Sequence, residues 1–171
     1  MGETIVVNKK SAVLAYRKGE PAVKAVLKEL FGKDLEIDLK AWVRNFNDVC
    51  EMAGVDPQAY DVRSCQSSKA SEQICLEKLM LIERVFNNGD AIDLLDVEKL
   101  RYYPWHRIIL DANEPWGFRL SYFGCVYVRV AAFLGARPFF YDSDDAVFVG
   151  KTFVAEYAEW LYYMNLNRKQ S

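Results

Sequence analysis

Between residues 20 and 31, E-P-A-V-K-A-V-L-K-E-L-F, the apolar residues Val23, Val26, Leu27 and Leu30 return at three- and four-residue spacing. That is the period of one helix face, with Pro21 suited to the first turn and Gly32 to the stop. A connector bearing Leu35, Ile37 and Leu39 leads into a second helical stretch that runs to about Ala53, with Trp42, Phe46, Val49 and Cys50 along one stripe. Asn45 and Asp48 have the spacing of a capping pair, which places a break at Asn45, and Gly54 with Pro57 closes the stretch. Periodicity fails from Tyr60 to Ala70, so this segment reads as a loop or mobile connector and as the best candidate for disorder. It returns from about Ser71 to Asn87 through Ile74, Leu76, Leu79, Ile82, Val85 and Phe86, predicting a third helix stopped by Asn87-Asn88-Gly89.

From Arg101 the texture changes. The run Y-Y-P-W-H-R-I-I-L, the turn-rich D-A-N-E-P-W-G, then F-R-L-S-Y-F-G, C-V-Y-V-R-V and R-P-F-F-Y predict strands joined by turns. In C-V-Y-V-R-V, Val126, Val128 and Val130 alternate with Tyr127 and Arg129, as in a sheet with one covered and one exposed face. Pro104 makes the first strand an edge, or delays its start. The last segment opens with Asp142 or Ser143 as N-cap and Asp144 and Asp145 in the first turn, and it carries Val149, Phe153, Tyr157, Leu161 and Met164 on one face. The expected fold is therefore α+β, with N-terminal helices packed on a small, mainly antiparallel sheet and a C-terminal helix covering it. A helical half over about residues 1–98 and a sheet-plus-helix half over about 99–168 would share one domain.

Composition sharpens this in three ways. The chain of 171 residues is 51% hydrophobic and 27% charged, which suits a folded domain rather than a disordered one. Aromatic residues crowd into residues 102–141, and side chains of that kind pack well on a pleated surface or stack on ligands. The formal net charge of −2 argues against nucleic acid as a partner, although residues 101–141 hold five arginines against two carboxylates. Cys50, Cys65, Cys75 and Cys125 form no C-x-x-C pair and read as free thiols. No signal peptide or membrane span is apparent, so a cytoplasmic location is expected.

Two stretches carry a family resemblance. The C-terminal third, from Arg101-Tyr102-Tyr103-Pro104-Trp105 through Gly135-Ala136-Arg137-Pro138-Phe139-Phe140-Tyr141 to Phe148-Val149-Gly150-Lys151-Thr152-Phe153, resembles uncharacterised proteins encoded by phages and prophages of gut Bacteroidales. Asn45-Phe46-Asn47-Asp48 through Gly54-Val55-Asp56-Pro57 is similar to their helix ending in a G-[VI]-D-P turn. His106 stands where those relatives carry an aromatic, and Ala136 and Pro138 flank Arg137 in place of Ser and Leu. The resemblance implies a phage-related accessory or structural role, in the cytoplasm of a bacterial host or in association with the virion, and supplies no catalytic residues.

The candidate chemistry lies within residues 101–141. His106, the only histidine, offers a general base or a ligand contact, or else packs as a structural residue. Arg107, Arg119, Arg129 and Arg137, with Trp105 and Tyr127, suit recognition of an anion or an acidic protein surface. The plainer reading is arginines lying along a sheet and stacking on its aromatics. Asp142, Asp144 and Asp145 fit helix capping better than a hard-cation site. No nucleotide-loop, hydrolase-elbow or multi-histidine metal motif occurs, and neither a cofactor nor a metal is expected. The favoured expectation is a non-enzymatic binding or assembly module of phage origin that acts on a protein partner or a second copy through an aromatic, arginine-bearing sheet face. The alternatives are a small nucleotide- or anion-binding protein in a counter-defence role and a hydrolase using His106.

Overall fold

In the computed structural model, which describes residues 7–35, 37–89, 96, 98–128 and 138–170, α-helices pack against one antiparallel hairpin. The fold is α+β, as the sequence pattern predicts. The first helix, α1 (Lys9–Lys18), lies in a largely polar stretch that the hydrophobic pattern does not single out; the Asn8 side chain caps it by accepting from the Lys10 and Ser11 N–H groups. Then α2 (Pro21–Phe31) follows as expected and ends at Gly32, whose φ of 50° a side chain would resist.

The second predicted helix is split in two, α3 (Leu39–Trp42) and α4 (Phe46–Ala53). The break falls at Asn45, whose side chain accepts from the Asn47 and Asp48 N–H groups, while the Asp48 carboxylate accepts from the Arg44 N–H. Gly54, at φ 75°, closes α4. The segment from Tyr60 to Ala70 is not the loop expected from its missing periodicity. Asp56 and Asp61 each cap a single 3-10 turn, and α5 (Ser68–Phe86) begins within it, capped by Ser67. Side-chain-to-backbone bonds of this kind organise a chain without any apolar period.

The hairpin consists of β1 (Arg101–Leu110) and β2 (Phe118–Val128), joined by a turn at 111–117. The predicted run F-R-L-S-Y-F-G and the Cys125–Val128 part of the next form one continuous strand, bulged at Phe123, because Trp105 pairs with Gly124 and His106 with Tyr122. Pro104 is accommodated because no strand pairs along that side of β1 among the described residues; the next segment touches it only through the Tyr102 and Phe140 backbones, which exchange hydrogen bonds of 2.8 and 2.7 Å. Thus R-P-F-F-Y supplies a single bridge instead of the expected strand, and Val130, Arg129 and Arg137 lie outside the described residues.

The C-terminal helix is likewise two, α6 (Ser143–Thr152) and α7 (Val154–Gln170), divided at Phe153. Asp142 caps α6 by accepting from the Asp144 and Asp145 N–H groups, 2.7 and 3.0 Å away. One apolar cluster joins the helices to the sheet, with Val49, Leu79, Ile82, Phe140, Val149 and Phe153 fully buried in it. Next, α6 lies against both strands, while α7 packs on α5 and on β2. The α5 and α7 pair is further tied by a Lys78–Glu159 ion pair of 2.7 Å, well shielded from water. No helix of the described residues is long and apolar enough to cross a membrane.

Candidate functional site

Strand register decides which candidate residues can act together. Antiparallel partners share a face, so Tyr103 with Val126, Trp105 with Gly124, Arg107 with Ser121 and Ile109 with Arg119 line one side of the hairpin. Pro104 with Cys125, His106 with Tyr122 and Tyr102 with Tyr127 line the other, which turns toward α6.

On the α6 side, contact is close because position 150 is glycine. A Cβ there would meet the Pro104 Cβ at 2.4 Å and the Tyr122 ring at 2.8 Å. This approach brings the Gly150 carbonyl to 2.8 Å from His106 Nε2. A carbonyl only accepts, so Nε2 carries a proton and donates it to this bond. The ring also lies 4.6 Å from that of Tyr157 and 6.1 Å from that of Tyr122. Burial pushes the His106 pKa below its usual value, with the Gly150 bond partly opposing the shift. His106 is therefore a packed residue that joins strand to helix, on the face opposite Trp105 and Arg107.

The outward side is different. Trp105 is 55% exposed and Phe123 60%, their rings edge to face at 6.1 Å, and the Arg107 guanidinium lies 4.7 Å over the Phe123 ring. Such a stack holds an arginine in place while leaving its donor edge free for a partner. Arg119 is the diagonal neighbour of Arg107 on this face, with its Nε 3.8 Å from Asp111. That exposed, long contact fixes little, since pairs of this kind contribute about 0–1 kcal/mol. Tyr127 is 66% exposed but sits on the other face, opposite Tyr102. Of the seven candidates, the structure thus brings together Trp105, Arg107 and Arg119, and it separates His106 and Tyr127 from them.

Phe123 is the residue that sequence reasoning missed. In simple alternation it shares a side with Cys125, but the bulge returns it to the face of Trp105. Its run F-G-C, with a glycine breaking an aromatic strand, is the only local signal of that bulge. Arg101, the fifth arginine of the block, is 1% exposed, and its Nη2 donates to the Asp96 carbonyl at 2.6 Å. It belongs to the interior, not to a recognition face.

The remaining chemistry is quiet. All four cysteines are free, and burial raises the Cys50 thiol to about 11 and the Cys75 thiol to about 12, so both stay protonated and unreactive near neutral pH. Asp145 is paired with Lys40 at 2.8 Å, in keeping with the capping reading of the Asp142 cluster. Among the described residues, no group of three or more His, Cys, Asp or Glu is placed to hold a metal ion. No family model, curated protein or solved structure matches the chain.

Proposed function

We propose that the chain is a non-enzymatic assembly module that associates with a second copy of itself through the outward face of the β1–β2 hairpin and the outer edge of β2, which pairs with no further strand among the described residues. The observation that carries this is the exposed Trp105–Phe123–Arg107 stack on a sheet that has two strands among the described residues. Exposed aromatic clusters of this sort mark interaction surfaces on soluble proteins. A lone two-stranded ribbon is marginal in water, whereas three or more strands hold together. Edge-to-edge pairing of β2 with its copy would give four strands and join the two aromatic faces. A two-fold contact of this kind presents the same patch twice and closes on itself.

The composition of β2 supports the same reading. Its eleven residues carry one charge, Arg119, and neither proline nor lysine, the devices that normally blunt an exposed edge. Central arginines stacked on rings also fit an interface better than isolated lysines would. Origin in a phage or prophage, suggested by the C-terminal motifs, belongs to this proposal, since assembling small proteins are common accessory parts of such systems.

Sedimentation velocity of the full chain over a wide concentration range tests it. The weight-average mass should rise toward that of a dimer, and Phe123→Lys with Trp105→Ser should hold it at the monomer. Both positions are exposed, so the variants keep their fold and their circular dichroism. A monomer mass at every concentration, or a dimer indifferent to both substitutions, sinks the proposal.

A further inference from the structure

A cavity of about 420 Å³ opens between α1, α2 and the turn that follows α5, walled by Val13, Tyr16, Arg17, Lys24, Ile37 and Asn88 among others. That is the size range of small-molecule sites, which combine apolar walls with a few placed polar groups. The described walls hold two cations and no carboxylate. Arg17 donates through Nη2 to the Val85 carbonyl at the end of α5, and it makes no ion pair with a described residue. Burial lowers its pKa. Lys24 is half-buried here, whereas Lys28 one turn later on α2 is exposed.

Asn88, which takes positive φ at 59° in the stop after α5, stands where two cavities adjoin. A smaller cavity of about 170 Å³ shares Arg17 and Asn88 with the first and adds Arg84 beside the apolar Met52, Val55 and Leu81. The two cavities therefore meet at Arg17.

We propose that these adjoining cavities bind a small organic anion, its carboxylate or phosphate head held between Arg17 and Lys24 and its apolar or aromatic body against Val13, Ile37 and Tyr16. A half-buried guanidinium with donors to spare is the group that gains most from such a head, through charge-assisted hydrogen bonds. The site shares no residue with the hairpin face, so either proposal stands or falls without the other.

Calorimetric titration of the full chain with AMP, octanoate and inorganic phosphate tests this. AMP or octanoate should bind saturably, and Arg17→Met and Lys24→Met should each weaken binding about tenfold or more, while Arg107→Ala matches the wild type. AMP alone would identify a phosphate head and octanoate alone a carboxylate; either supports the site. Because Lys24→Met leaves the Arg17–Val85 bond in place, it reports even if Arg17→Met fails to fold. No binding by any of the three, inorganic phosphate binding as tightly as AMP, or affinities unchanged in both variants would overturn the proposal.

Discussion

The two faces of the hairpin are built from the same kinds of residue and meet opposite fates. Toward α6, Pro104, His106 and Tyr122 are pressed against a helix that can approach because residue 150 is glycine. On the other side, Trp105, Arg107 and Phe123 stack on one another and face outward. Aromatic content alone does not separate a core from a docking surface; what separates them is whether another element of the chain can come within contact distance.

Gly150→Ala should break the covered face most sharply. The added methyl group has no room beside the Pro104 ring, which cannot rotate away, so strand and helix must part. Overpacking of this kind costs about 3 kcal/mol, which in a chain of this length lowers the melting temperature by roughly 6–12 °C. A variant that melts with the wild type would show that α6 does not approach the strands as described.

A smaller effect should come from His106→Gln, read through pH. Burial depresses the folded-state pKa of His106, so the unfolded chain takes up more protons below the ordinary histidine value of about 6.5. This contribution is fully present above that value and is lost as pH falls through the folded-state pKa. The carboxyls of Asp145 and Glu156, raised mainly by burial, act in the opposite sense and are the same in both proteins. Melting curves between about pH 7.5 and 5.5 should therefore show a wild-type decline that the glutamine variant lacks. Parallel pH profiles for the two proteins would mean that His106 is not held neutral.

The smallest effect belongs to the outward face. Trp105→Ala and Phe123→Ala should each change monomer stability by roughly 0.5 kcal/mol or less, because both rings are more than half exposed. Chemical denaturation at low protein concentration checks this. A loss of several kcal/mol would make the pair a covered core element and erase the contrast between the faces.

Much of the fold was legible because its signals are local. The Asn45 break and the Asp142 cap each depend on one side chain bonding to backbone a few residues on, the Asn87-Asn88-Gly89 stop depends on residues that take positive φ, and all appear as expected. Where local cues compete with periodicity, the reading failed. The segment from Tyr60 to Ala70 has no apolar period, yet Asp56, Asp61 and Ser67 order it by capping. The C-terminal stripe from Val149 to Met164 keeps its helical spacing through Phe153, so the division between α6 and α7 leaves no trace in the pattern. Of the candidate site, residue types were legible and grouping was not: Phe123 joins Trp105 only through a bulge, and Arg17 and Lys24 meet only because α1 folds beside α2.

The stripes of α2 and α5 draw the same line. Both show apolar residues at helical spacing, and both are helices. Yet Leu79 and Ile82 are fully buried, while Val26 is 55% and Leu30 68% exposed. Local sequence set the helical stretches of α2, α4 and α5 and the caps at Asn45 and Asp142, because backbone hydrogen bonding and side-chain period are decided within a few residues. Which stripes are covered, which face of the hairpin stays open and which cations share a cavity were decided by the tertiary structure alone. Burial is a relation between distant segments, and a local pattern holds no record of its partner.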